Sequence, residues 1–104
     1  MIVTTTETIP GREVSEILGI VKGNTVRAKW FGKDILAGLR NIVGGELKEY
    51  TEMLTESREQ AVGRMTADAE AIEADAVLNV RFITSQISQG AAELLAYGTA
   101  VKLK

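Results

Sequence analysis

Five glutamates, Glu46, Glu49, Glu52, Glu56 and Glu59, follow one another at steps of three or four residues. On a helix that spacing gathers several carboxylates on one stripe. A carboxylate pair of this kind can hold a hard cation such as Mg²⁺. The same stripe also reads as an ordinary solvated helix face, where most glutamates live. Softer metals find no ligands, because the chain has 0 cysteines and 0 histidines, and zinc or copper needs their nitrogen and sulfur. Those absences also remove disulfides, thiolate nucleophiles and the usual general base. Only Asp, Glu, Lys, Arg, Tyr, Ser and Thr remain for chemistry. No catalytic constellation emerges from them, so catalysis is disfavoured. No cofactor and no metal-ligating set are expected.

The arginines carry more information. Arg64 has Asp68 four residues on, the spacing of a helical ion pair. Arg58 has Leu54, Thr55, Ala61 and Val62 at those offsets and no carboxylate partner on its own helix. Arg81 lies among apolar neighbours on the same strand face as Asn79. An arginine so placed must find a carboxylate, a carbonyl or a bound anion. Two readings stay open: a partly buried pair within the fold or across a subunit contact, and a bound anionic ligand. Tyr97 lies in the last strand, where it packs beside the sheet and satisfies its hydroxyl locally. The candidates for charge pairing or inter-subunit contact are therefore Arg58, Arg64, Asn79, Arg81 and Tyr97. Gly44-Gly45 precedes a helix, but it lacks the spacing and the Lys-Ser/Thr of a phosphate loop; it reads as a corner between two helices.

These residues must be positioned by a small set of elements. Ile2 to Thr6 is β-branched and reads as a first or edge strand. Thr8-Ile9-Pro10-Gly11 is a turn and contains the single proline. Glu13 to Lys29 reads as a long strand, apolar on both parities from Ile17 to Val21, with a bulge or bend expected at Gly23-Asn24. A break at Trp30-Phe31-Gly32 leads to a short helix capped by Asp34 and lined by Ile35, Leu36, Leu39, Ile42 and Val43. A second, long helix runs from Glu46 to Ile72, with Leu47, Tyr50, Leu54, Ala61, Met65, Ala69 and Ile72 at helical period and Gly63 as its weak point. After Asp75 the period becomes two: Leu78, Val80 and Phe82 on one face, Val77, Asn79, Arg81 and Ile83 on the other. Thr84 to Glu93 reads as a polar hairpin loop containing Gly90. Leu94 to Leu103 is the last strand, with the small residues Ala96, Gly98 and Ala100 on the parity that the long helix covers. The order is β-β-α-α-β-β, an α+β fold with one antiparallel sheet and the long helix across one face.

A chain of 104 residues is one domain, 1–104, with 45% hydrophobic and 25% charged residues. A net charge of -2 with interspersed signs disfavours nucleic acid. No apolar run is long enough for a bilayer, and the start lacks a signal-peptide pattern. The expected location is the cytoplasm, with no membrane partner. A helix from Glu46 to Ile72 is about 40 Å long, whereas a compact domain of this size is only about 35 Å across. The helix therefore outgrows its own domain, and a second copy of the chain is expected to bury the surface left over.

Four blocks together resemble the YbjQ-like family, labelled heavy-metal-binding and otherwise uncharacterised. They are Leu18-Gly19-Ile20-Val21-Lys22-Gly23, then Gly44-Gly45 with Tyr50, then Arg58, Ala61, Arg64 and Met65, and finally Ala74-Asp75-Ala76-Val77 through Arg81-Phe82 to Ala96-Tyr97-Gly98-Thr99-Ala100-Val101. The resemblance implies a dodecin-like subunit in a ring of five with strand edges joined between subunits. It carries no catalytic or binding residue. Its metal label would have to rest here on carboxylates. The family tends to have glycine where Glu73 stands; a left-handed backbone there would strain Glu73 by roughly 1 kcal/mol.

Overall fold

The computed structural model describes residues 1–27, 42–43, 46–88 and 91–104, with the backbone alone for 42–43 and 46–50. Its elements are β1 (Ile2–Val3), β2 (Val14–Arg27), β3 (Ile42–Val43), β4 (Glu46–Leu47), α1 (Lys48–Ala71), β5 (Ala76–Ser88) and β6 (Ala91–Leu103). β1, β5, β6 and β2 form one sheet in that order, and β3 pairs with β4 in a separate two-stranded ribbon. The fold is α+β, as the sequence implied.

The sheet is mixed rather than wholly antiparallel. β5–β6 and β2–β6 are antiparallel, but β1 runs parallel to β5. Its parallel pairing follows from the return of the chain to β5 after β2 and α1, a crossover that no tight hairpin could supply. The expected short helix falls on residues outside the described set, except Ile42 and Val43, which lie in β3 instead. The Trp30–Gly32 break, Gly44-Gly45 and Gly90 also lie outside it. The long helix begins at Lys48, not Glu46, because Glu46 and Leu47 pair with Val43 and Ile42. It runs unbroken through Gly63 for 24 residues, about 36 Å.

α1 buries Ser57, Ala61, Met65 and Ala69, one residue every four, a single stripe at helical spacing. That stripe rests on Val21 of β2, Val77 and Val80 of β5, and Leu94, Ala96 and Ala100 of β6. The small-residue parity of β6 does face the helix. The tightest approach is elsewhere, at Gly23: a Cβ there would collide with Ala61 O, Met65 N and Arg64 Cβ. Gly23 is thus a close-approach glycine in regular register with Ala96, not the bend expected from sequence. The bend is at Gly19, with φ +121° beside a register shift between Ile17 and Gly19.

β5 also departs from simple alternation. Asn79 takes φ +54° and the register shifts between Leu78 and Arg81. Val77 and Val80 therefore share the helix face, whereas Leu78 lies on the outer face with Ala76 and Val101. One bulged residue flips every side chain beyond it. The expected Thr84–Glu93 loop is mostly strand, with Ser85 opposite Glu93 and Gln86 opposite Ala92. Its polar side chains face water, which made an exposed strand look like a loop.

Candidate functional site

The outer face of the sheet, opposite α1, gathers the sequence candidates unevenly. Cross-strand register places Lys22 (β2), Tyr97 (β6) and Arg81 (β5) in one row across three strands. Neighbours in such a row have Cβ atoms about 5 Å apart. The next row holds Asn24, Leu95 and Ile83, and the Asn24 amide donates to Glu93 Oε2 at 3.0 Å. Arg81 and Tyr97 are therefore brought together, with Lys22 as a third member that sequence reasoning had not singled out. Arg81 is exposed, and its Nη1 donates to Thr5 O at 3.0 Å and Val80 O at 2.9 Å. Its anchor is a pair of carbonyls, one of the outcomes open to it. Asn79 sits at the bulge, and its backbone N–H donates to Thr6 O at 3.0 Å.

Arg58 and Arg64 do not join this row, since both project from α1. Arg58 is exposed and makes no hydrogen bond or ion pair among the described residues. Arg64 does not pair with Asp68. Its Nη1 donates to the carbonyl of Asn24, while Asp68 Oδ2 accepts from the Lys22 N–H at 3.4 Å. Both backbone groups belong to the free edge of β2, so two helix side chains occupy edge positions that a further strand would otherwise use.

A second polar cluster was missed. Arg27 Nε donates to Ser57 Oγ at 3.1 Å and its Nη2 to Gln60 Oε1 at 2.8 Å, with Glu56 Oε1 at 3.6 Å. Ser57 Oγ in turn donates to Met53 O at 2.9 Å. The signal for Ser57 was present, since it extends the spacing of Ala61, Met65 and Ala69. It went unread because serine does not count as apolar.

Glu52, Glu56 and Glu59 lie exposed on α1. No group of three or more metal-competent side chains comes together among the described residues. No described helix is long and apolar enough to cross a membrane. The outer face also carries exposed apolar residues. Ile17, Ile20, Val26 and Ile83 all lie there, with Ile20 78% and Ile17 70% exposed. Among the described residues one end is covered, where Ala76, Leu78 and Val101 pack with Ile9 and Leu103.

Comparison with known proteins places the chain. A family model described as "Putative heavy-metal-binding" matches residues 1–104. The chain is 68% identical over 104 residues to a UPF0145 protein of Archaeoglobus fulgidus, covering 100% of this chain and 96% of the relative. It is 59% identical over 104 residues to a UPF0145 protein of Psychromonas ingrahamii, covering 100% and 99%. A crystal structure of a Pediococcus pentosaceus protein of unknown function, from the DUF74 family, shares the fold with a TM-score of 0.66 at 15% identity, over 100% of this chain and 98% of the other. With its whole length matched by the family model and by close relatives, the chain belongs to the YbjQ family of UPF0145 proteins.

Proposed function

We propose that this chain is the subunit of a cytoplasmic homo-oligomer, a dodecin-like ring of five, that holds a small anionic ligand between subunits. The observation that carries the reading is the apolar outer face. A sheet with one solvated face alternates apolar and polar residues. Here Ile17, Ile20, Val26 and Ile83 face outward while Val21, Val77 and Val80 face the helix. Exposed isoleucines and valines grouped on one sheet face, with a polar row crossing between them, support a contact with another chain. The subunit is also extended, with a radius of gyration of 16.9 Å, against about 13 Å for a compact domain of this length. The number five and the ring come from the family resemblance. The Lys22–Tyr97–Arg81 row supports the ligand class, because two cations flanking a phenol suit an anion.

Light scattering behind a sizing column tests the assembly. A single species at five times the 11.2 kDa chain mass is expected, and a species at one chain mass across micromolar concentrations overturns it. A thermal-shift screen of nucleotides and inorganic anions tests the ligand. At 100 times its Kd a ligand should stabilise by about 2.7 kcal/mol, and the Tyr97→Phe/Arg81→Met variant should abolish the shift.

The family's metal description favours a second reading, ion binding through carboxylates such as Glu52, Glu56 and Glu59. Calorimetry on tag-free protein separates the two. Weak Mg²⁺ or Ca²⁺ uptake fits carboxylate binding, whereas stoichiometric submicromolar zinc would contradict a chain without imidazole or thiolate.

A further inference from the structure

The N-terminal segment is tied to β5 by polar groups and by little that is apolar. None of residues 1–8 is buried, and Met1, Ile2 and Val3 are exposed. β1 itself pairs through two residues. Beyond it Thr4 N donates to Val77 O, Val80 N to Thr4 O and Asn79 N to Thr6 O, each at 3.0 Å. The bulge makes this grip. In a regular strand successive N–H groups point to opposite sides. Here Asn79 takes φ +54°, the ladder to β6 shifts between Leu78 and Arg81, and the N–H groups of Asn79 and Val80 both donate to the one segment. Bulges beside functional sites re-aim a side chain, and the next residue along is Arg81.

Arg81 completes the grip. Its Nη1 donates to Thr5 O at 3.0 Å and to Val80 O at 2.9 Å, and it makes no further hydrogen bond and no ion pair among the described residues. Thr5 follows β1, on the side of β5 away from β6, whereas Tyr97 lies in β6 and Lys22 in β2 beyond it. The guanidinium is thus drawn to the sheet edge, away from the row that its register shares with Tyr97 and Lys22. Threonine side chains brace the turn that presents Thr5 O. Thr4 Oγ1 and Thr6 Oγ1 are hydrogen-bonded at 2.9 Å, Thr6 N donates to Thr4 Oγ1 at 3.2 Å, and Thr6 Oγ1 donates to Thr8 O at 2.7 Å.

We infer that residues 4–6 are a latch on the anion row: they hold the Arg81 guanidinium at the sheet edge, and an anion gripped by Lys22 and Tyr97 draws it back across β5 and loosens the segment. This rests on the anion-binding reading and adds its regulation. Thr5 O is a neutral acceptor, and an arginine bonds an anion more strongly than a neutral carbonyl. Once Arg81 leaves, the segment keeps its backbone bonds but has no apolar anchor before Ile9, which packs against Ala76, Leu78 and Val101. Few apolar contacts and exposed hydrogen bonds are the make-up of a region that opens locally. The coupling runs both ways: the factor by which an anion weakens the latch is the factor by which an open latch strengthens anion binding.

Amide hydrogen exchange at Thr4, Asn79 and Val80, read by NMR on the full chain with inorganic phosphate as the probe, tests the latch, with calorimetry on the same samples. Saturating phosphate should cut the protection of these three amides by about tenfold and leave the amides of α1 unchanged. Thr4→Ala/Thr6→Ala unbraces the turn without touching the row, and should bind phosphate about tenfold more tightly than the parent. If that variant loses its fold, Thr6→Ala alone is expected to shift affinity in the same direction. Phosphate binding that leaves the three amides as protected as before, with equal affinity in the variant, overturns the latch and leaves the anion reading standing. No binding by parent or variant removes both. Arg81→Met without phosphate supplies a check that needs no anion: it should by itself lower the protection of the three amides, and unchanged protection overturns the latch whatever phosphate does.

Discussion

The helix face and the outer face of this sheet are built from the same kinds of residue and are treated differently. Under α1, Val21, Val77, Ala96 and Ala100 are each at most 1% exposed. On the outer face Ile20 and Ile17 are exposed, and a small patch against Ile9 is the one part enclosed among the described residues. Strand propensity explains neither outcome, since isoleucine favours strands on either face. The difference is the cover: α1 lies over one face, and over most of the other no described element does. Apolar residues on both parities of β2 are the pattern of a strand buried on both sides. Among the described residues one of those sides is covered, by α1.

The largest expected effect breaks the covered face. In Gly23→Ala the new Cβ meets the backbone of α1 at Ala61 and Met65, which cannot turn aside as a side chain can. The helix must lift from β2, with a loss of about 4 kcal/mol, at the high end for overpacking. Chemical denaturation should show it, and a variant within 1 kcal/mol of the parent would mean the helix is loosely held. Next comes a matched pair. Met65→Ala empties the middle of the core and should cost about 3 kcal/mol. Ile20→Ala should cost about 2 kcal/mol if a neighbouring copy covers it, against under about 0.5 kcal/mol for a site that remains in water. The ratio of the two losses measures how unequal the faces are in the working protein.

A smaller effect concerns an imperfection within the covered face. Thr25 is 3% exposed, and its Oγ1 is buried with no hydrogen-bond partner. Burying an unsatisfied hydroxyl costs about 1–3 kcal/mol. Thr25→Val keeps the shape and removes that group, so a gain of about 1 kcal/mol in urea denaturation is expected. A loss instead would show that the hydroxyl has a hydrogen-bond partner inside the folded chain.

Much of this was legible from residue types. The α+β class, the long helix with Ala61, Met65 and Ala69 inward, and the small parity of β6 follow from period and size. The turn at Pro10-Gly11 is equally plain, with Gly11 at φ +75° and Arg12 N donating to Ile9 O at 3.1 Å. The failures share one cause, a single residue whose local role depended on a distant partner. Gly23 looked like a bend and is instead the contact point for a helix some forty residues on. Asn79 looked like an ordinary strand residue and is a bulge that reverses the faces of β5. Arg64 had a carboxylate at the ideal helical spacing and chose a carbonyl of β2, because an edge strand offers unpaired groups that Asp68 was also needed to fill. Which edge lies beside which helix is set by topology, and no window of sequence contains it.

The smallest expected effect lies where the helix stops, between the covered face and the return to β5. Ala74 N donates to Ala69 O and Glu73 N to Glu70 O, both at 3.0 Å, the paired bonds of a Schellman end. That motif places its C′ residue in the left-handed region, and Glu73 accordingly has φ +61°. Ala74 packs on the core cluster beside Ala69, which holds the turn in place against the strain. A side chain in that region costs about 1–2 kcal/mol relative to glycine, partly offset because glycine gains about 0.4–1 kcal/mol of freedom in the unfolded chain. The carboxylate adds a second penalty, since the last turn of α1 has no basic residue and a negative charge there opposes the helix dipole by roughly 0.3 kcal/mol or more. Glu73→Gly relieves both and should stabilise by about 0.5–1 kcal/mol, read as a rise in melting temperature at fixed protein concentration. Glu73→Gln relieves the charge alone and should recover the smaller share. Glycine no better than glutamine would show that the left-handed turn costs nothing here, and that Glu73 is held by contacts from another copy.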